Sequence, residues 1–211
     1  MRTPLLTVVL VGLATTAMAQ ATQPPRLVSA QLDPAPWNVR AGGIAACEVT
    51  LDERGAVVSA ELVQDVPPFG AQLKDAVRSW RFEPAHEGDR RVGARVLVLG
   101  FFRPPATFAT PESPLYKTTH APEEIPWPAY VAVPPFPANV VGSGKVVVEA
   151  DVSEDGKVTS AHAHGAATAF DSAALDAARQ WTFRPAARSG RPVASRAFLV
   201  FSFIGDTPGI G

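Results

Sequence analysis

Residues 144–203 repeat residues 43–102 without a gap, at a constant offset of 101 positions. Gly55 answers Gly156, Val57 answers Val158, and Phe69 answers Phe170. Asp75, Arg78, Trp80, Phe82 and Pro84 answer Asp176, Arg179, Trp181, Phe183 and Pro185. Val92 and Arg95 answer Val193 and Arg196, and roughly a third of the positions match in all. A period this long is not that of a solenoid, so the chain reads as two copies of one small domain. Each copy has only a marginal core, which predicts that the two pack on each other.

Within 211 residues the repeat leaves three stretches outside the copies. Residues 1–19 read as a signal peptide: Arg2 is the positive start, 5–13 the apolar run, and Ala17-Met18-Ala19 the cleavage pattern. Cleavage after Ala19 leaves a secreted protein without an integral span; an uncleaved membrane anchor is the alternative. Residues 20–33 are polar and contain proline, which predicts a loose leader. Residues 103–133 form a proline-rich linker, but Tyr116, Trp127 and Tyr130 predict that part of it lies against a domain. The net charge of −1 gives no reason to propose nucleic acid as a partner. The single cysteine, Cys47, excludes an internal disulfide and aligns with Val148, so it reads as a small buried side chain.

The copies, 34–102 and 134–204, share one internal plan. Their lead-ins correspond, Pro34, Pro36 and Asn38 with Pro135, Pro137 and Asn139. A first strand then alternates: Val146, Val148, Ala150 and Val152 against Val147, Glu149 and Asp151. That period predicts a half-buried strand. Asp52 to Gly55 and Ser153 to Gly156 are hairpin turns, since glycine takes positive φ without strain. A second strand runs over 56–63 and 157–164. Phe170, Ala174, Ala177, Ala178 and Trp181 then fall on one helical face, as do Phe69, Leu73, Ala76, Val77 and Trp80, with Asp171 or Ser172 as N-cap. Pro84 and Pro185 stop the helix, and a last strand covers 92–102 and 193–203. The fold class is α+β: two tandem units, each a three-stranded antiparallel-type sheet in the order β-β-α-β with a helix on one face.

GKVVVEADVSEDGKV, FDSAALDAARQWTFRPA and SRAFLVFSF in the second copy resemble the C-terminal domain of TonB. LDERGAVVSA and LKDAVRSWRFEPA carry the same resemblance in the first. The resemblance implies a non-catalytic periplasmic domain that binds extended peptide segments of outer-membrane transport partners by adding a strand to its sheet. It places that edge on the closing strands. The residues concerned are Val193, Ser195, Arg196, Ala197, Phe198, Leu199, Val200, Phe201 and Phe203, and in the first copy Arg95, Val96, Leu97 and Val98. Two alternatives stay open. In one, the sheet edges pair with each other, within a chain or in a homodimer. In the other, the chain is an anchored energy transducer, although 20–42 spans at most about 75 Å when extended.

No nucleophile with its base, phosphate loop or matched carboxylate pair stands in both copies, so no catalytic residue and no cofactor is expected. His162 and His164 share a strand face, but a third metal ligand is not evident and Glu61 and Val63 hold the matching positions. Trp80, Trp181, Phe82 and Phe183 read as core. Arg95 and Arg196 either deter edge pairing or grip a partner's carboxylate. Arg78 and Arg179 read as partners of helix C-termini and solvent.

Overall fold

A computed structural model describes residues 22–32, 43–102 and 122–205. The signal segment, the first lead-in and most of the linker lie outside the described residues. In chain order the elements are β1 (Thr22–Gln23), β2 (Arg26–Ser29), β3 (Gly43–Leu51), β4 (Val57–Gln64), α1 (Phe69–Val77), β5 (Arg81–Glu83), β6 (Ala85–Glu87), β7 (Arg90–Val92) and β8 (Ala94–Phe102). Then follow β9 (Trp127–Tyr130), β10 (Gly144–Val152), β11 (Val158–His164), α2 (Asp171–Gln180), β12 (Thr182–Arg184), β13 (Ala186–Arg188), β14 (Arg191–Val193) and β15 (Ser195–Phe203).

The hairpins form where the acidic turns predict them. Gly55 and Gly156 sit at φ +79° and +80°. A Cβ on either would come within 1.9 Å of the carbonyl oxygen of Phe82 or Phe183, so no side chain fits there. Asp52 closes the first turn by accepting from the amides of Arg54 and Ala56, both at 2.9 Å. Those bonds hold its carboxyl below the usual range. The second helix differs at its start. Phe170 holds the N-cap position, and Asp171 instead accepts from the Thr168 amide at 3.2 Å. Trp181 already has extended backbone, φ −68° and ψ 146°.

Two separate three-stranded sheets are not what the chain builds. One six-stranded sheet runs β11-β10-β15-β8-β3-β4. Pairing is antiparallel within each half and parallel at the centre, where Ala197 to Ser202 lie against Leu97 to Phe102. From Leu97 and Ala197 onward, each closing strand therefore has a neighbour on both sides. This corrects the expectation that 193–203 or 92–102 offers an open ladder. The reason lies in burial. Along β8 and β15 every residue from Val96 or Ala197 onward is buried, on both faces. Only a central strand covered from two sides hides such a run.

The cover comes from a helix on each face. Phe69, Leu73 and Val77 of α1 share a core with Ala45, Cys47, Val49, Val96 and Val98, and also with Phe198 and Val200 of the other half. Ala174, Ala177 and Ala178 of α2 share a core with Val148, Ala150, Leu199 and Phe201, and also with Ile44, Ala46, Leu97 and Leu99. Successive strand residues point to opposite faces, so α1 and α2 lie on opposite sides of one sheet. The predicted mutual packing is thus complete: the reverse face of each half is core to the other. The same fact corrects the half-buried first strand, since Val147 and Glu149 are as hidden as Val146 and Val148.

The leader is not loose. β2 pairs with β5, and β9, from the end of the linker, pairs with β12 in the same way. The indole N–H of Trp80 donates to Gln31 O at 3.1 Å, and that of Trp181 to Ala132 O at 3.0 Å. These strands also stand 101 positions apart, outside the stretch over which the sequences match. They carry core contacts across the seam: Phe82 meets Phe198 edge-on at 5.1 Å between centroids, and Leu27 belongs to the same core. Trp80, Trp181, Phe82 and Phe183 are core, as their spacing predicts.

Candidate functional site

With the closing strands sealed, the open ladders of the six-stranded sheet run along β4 and β11. Both are long for unprotected edges. Natural sheets blunt an edge with proline, charge or brevity. VVSAELVQ and VTSAHAH contain no proline. β4 has one formal charge, Glu61, and Lys74 on α1 reaches it at 3.4 Å. β11 has only the two histidines. Val58 on β4 is 63% exposed, a large apolar side chain beside an open backbone ladder. Bulges at Ala46/Cys47 and Thr50/Leu51 behind β4, and at Asp151/Val152 behind β11, twist these edges without closing them.

One face of β11 adjoins a buried charge cluster centred on Glu149. Glu149 is 4% exposed and accepts from the Leu27 amide at 2.9 Å. Arg196 Nε stands at 3.1 Å from it, His164 Nε2 at 3.1 Å and Arg26 Nε at 3.8 Å. Arg196 also binds Asp151 at 2.6 Å and donates to the carbonyls of Pro25 at 3.0 Å and Pro24 at 3.4 Å. The guanidinium thus ties the leader to the second half of the sheet. Burial pushes the Asp151 carboxyl up, but hydrogen bonds from Ser160 and Arg196 outweigh it and hold it below the usual range. His162 and His164 line a cavity of about 280 Å³ with Arg26, Leu27 and Glu83, and His164 spends its Nε2 on Glu149.

Of the two readings for Arg95 and Arg196, neither describes Arg196: it grips its own chain's carboxylates. Arg95 is the looser counterpart, half exposed, 3.3 Å from Glu48 and 3.9 Å from Glu124. Arg78 and Arg179 pair with Asp75 and Asp176 on the helix surface, as expected of solvated helix ends. Cys47 is fully buried, and burial pushes its thiol up to about 12. It is packing, not chemistry.

Reasoning from the sequence selected Val193, Ser195, Ala197, Phe198, Leu199, Val200, Phe201 and Phe203, with Val96, Leu97 and Val98. The structure puts Leu97, Val98 and Ala197 to Phe201 at the centre of the sheet, Val96, Ser195 and Phe203 at the ends of the same strands, and Val193 outside it, on β14 paired with Ala186 of β13. It missed β4 and β11 as the terminal strands. A signal was present: FLVFSF and VLVLGFF do not alternate, whereas VTSAHAH does.

Among the described residues no helix is long and apolar enough to cross a membrane. No curated protein matches the chain. One family model does, that of the Gram-negative bacterial TonB protein C-terminal, over residues 142–204, under a third of the length. That domain belongs to the Gram-negative envelope and to protein interaction rather than catalysis. The half of the sheet formed by β10, β11, α2 and β15 is a TonB C-terminal-like domain.

Proposed function

We propose that this chain is a non-catalytic periplasmic module built of two TonB-like units, reached after loss of residues 1–19. It takes an extended segment of an outer-membrane transport partner as an added strand at an outer edge of its sheet. One observation carries this reading: both closing strands are paired on both sides, while β4 and β11 each keep one side open among the described residues. Strand addition draws its affinity from backbone bonds and its selectivity from alternate side chains. β11 offers His162 and His164 on one face for such selection, and β4 offers the exposed Val58. A peptide could join along Ala197 to Ser202 only by opening the central ladder, which costs buried surface on both faces.

Adjacent residues of an edge strand turn their amides to opposite sides. Of Thr159→Pro and Ser160→Pro, therefore, one removes an inward bond and one an outward N–H. The outward variant is expected to melt like the parent and to lose at least tenfold in affinity for a transporter-derived peptide in titration calorimetry. Unchanged affinity in both variants, and in the matching Val58→Pro and Ser59→Pro pair, excludes the outer edges.

The same open edges support a second reading, an assembly protein whose β4 or β11 pairs with another copy. Light scattering separates the two: a monomer that dimerises only without the outward proline favours assembly.

A further inference from the structure

The central parallel ladder begins at Leu97 and Ala197. Before that point the starts of β8 and β15 have no register with each other, and a cavity of about 490 Å³ opens there. It lies where the two halves meet, and they contribute in matched pairs: Ala85 with Ala186, Gly93 with Ala194, Arg95 with Arg196. The volume falls in the range that holds small ligands.

We propose that this cavity binds the C-terminal end of an extended peptide, with its carboxylate on Arg95. Two observations converge. Small residues line the walls, so a peptide backbone can closely approach the strand starts on the side that β3 and β10 leave open. The guanidinium of Arg95 is half exposed, and its carboxylate neighbours at 3.3 and 3.9 Å are both longer than a close charge-assisted bond. That leaves its planar fork able to take a carboxylate in two-point fashion. Arg196 takes no part, because its donors are committed to Asp151, Glu149 and the proline carbonyls. Glu124 stands at the rim, 63% exposed and 3.9 Å from Arg95, a contact loose enough for a ligand carboxylate to displace. The site is distinct from the outer edges and does not depend on them.

The test is calorimetric titration of the full chain with tetra-alanine bearing a free carboxylate, and with its C-terminal amide. The acid is expected to bind saturably, the amide about tenfold more weakly or worse, as loss of a charged hydrogen bond implies. Arg95→Gln should bind acid and amide alike. Arg95→Lys, which keeps the charge but loses the planar fork, should weaken the acid several-fold. Both variants are to melt within a few degrees of the parent; should one fail to fold, the other carries the test. An outward edge proline should leave the acid's affinity untouched, which separates this site from strand addition. Equal affinity for acid and amide, absence of saturable acid binding, or undiminished acid binding in the folded variants overturns the proposal.

Discussion

Arg196→Met is expected to lower the unfolding free energy by about 3–5 kcal/mol, the range for removing one partner of a buried ion pair. Arg196 and Glu149 are 10% and 5% exposed in their side chains. Without the guanidinium, Glu149 stays buried with only the Leu27 amide, His164 and the distant Arg26. The matching substitution Arg95→Met changes stability by no more than about 1 kcal/mol, because Arg95 is half exposed and its pair is screened. Equilibrium urea unfolding measures both. The pH dependence carries a second signature. The Asp151 carboxyl is held below its ordinary value, so the folded chain binds fewer protons than the unfolded chain in acid. Its contribution is complete above the ordinary aspartate range, about pH 4, and is lost as pH falls through the lower folded value. Arg196→Met removes one cause of that lowering, so the variant should lose less stability on acidification below about pH 4 than the parent does.

Trp181→Ala should cost about 3–5 kcal/mol, as truncation of a fully buried aromatic does. Trp181 is 1% exposed, and its ring meets Phe201 at 5.8 Å and Phe183 at 6.1 Å. Its indole N–H also holds the carbonyl of Ala132 at 3.0 Å, and so fixes the segment that follows β9. Trp181→Phe keeps most of the packing and deletes that bond, at about 1–2 kcal/mol. Hydrogen exchange tells packing from tethering: Trp181→Phe should speed exchange over 127–132 far more than over α2. Equal acceleration of both would mean that the indole bond tethers nothing.

Much of each unit was legible, because local chemistry determines it. Gly55 and Gly156 mark turns that only glycine can make, and the spacing from Phe170 to Trp181 marks one helical face. The joining of the units stood only as an alternative, sheet edges pairing within one chain, although its cause was in view. In β15, Ala197, Leu199 and Phe201 face α2 while Phe198 and Val200 face α1. A strand apolar on both sides belongs in the middle of a sheet, but a unit taken alone has only one helix to cover it. The alternation of Glu149 with Val148 and Ala150 misled similarly: Glu149 is polar yet buried, because Arg196 and the Leu27 amide satisfy it. Those partners lie 47 and 122 positions away, beyond any local pattern. The leader strand β2 has little sequence in common with β9, so its place became visible only through the matching bonds from Trp80 and Trp181.

The central claim is that the two closing strands satisfy each other. Amide hydrogen exchange followed by NMR on the peptide-free chain addresses it directly. Amides of 97–102 and 197–202 should exchange only through global unfolding, with protection matching the free energy from urea, while alternate amides of β4 and β11 exchange many orders of magnitude faster. Closing-strand amides that exchange as readily as those outer edges would mean that the centre of the sheet is open, and the account would be wrong.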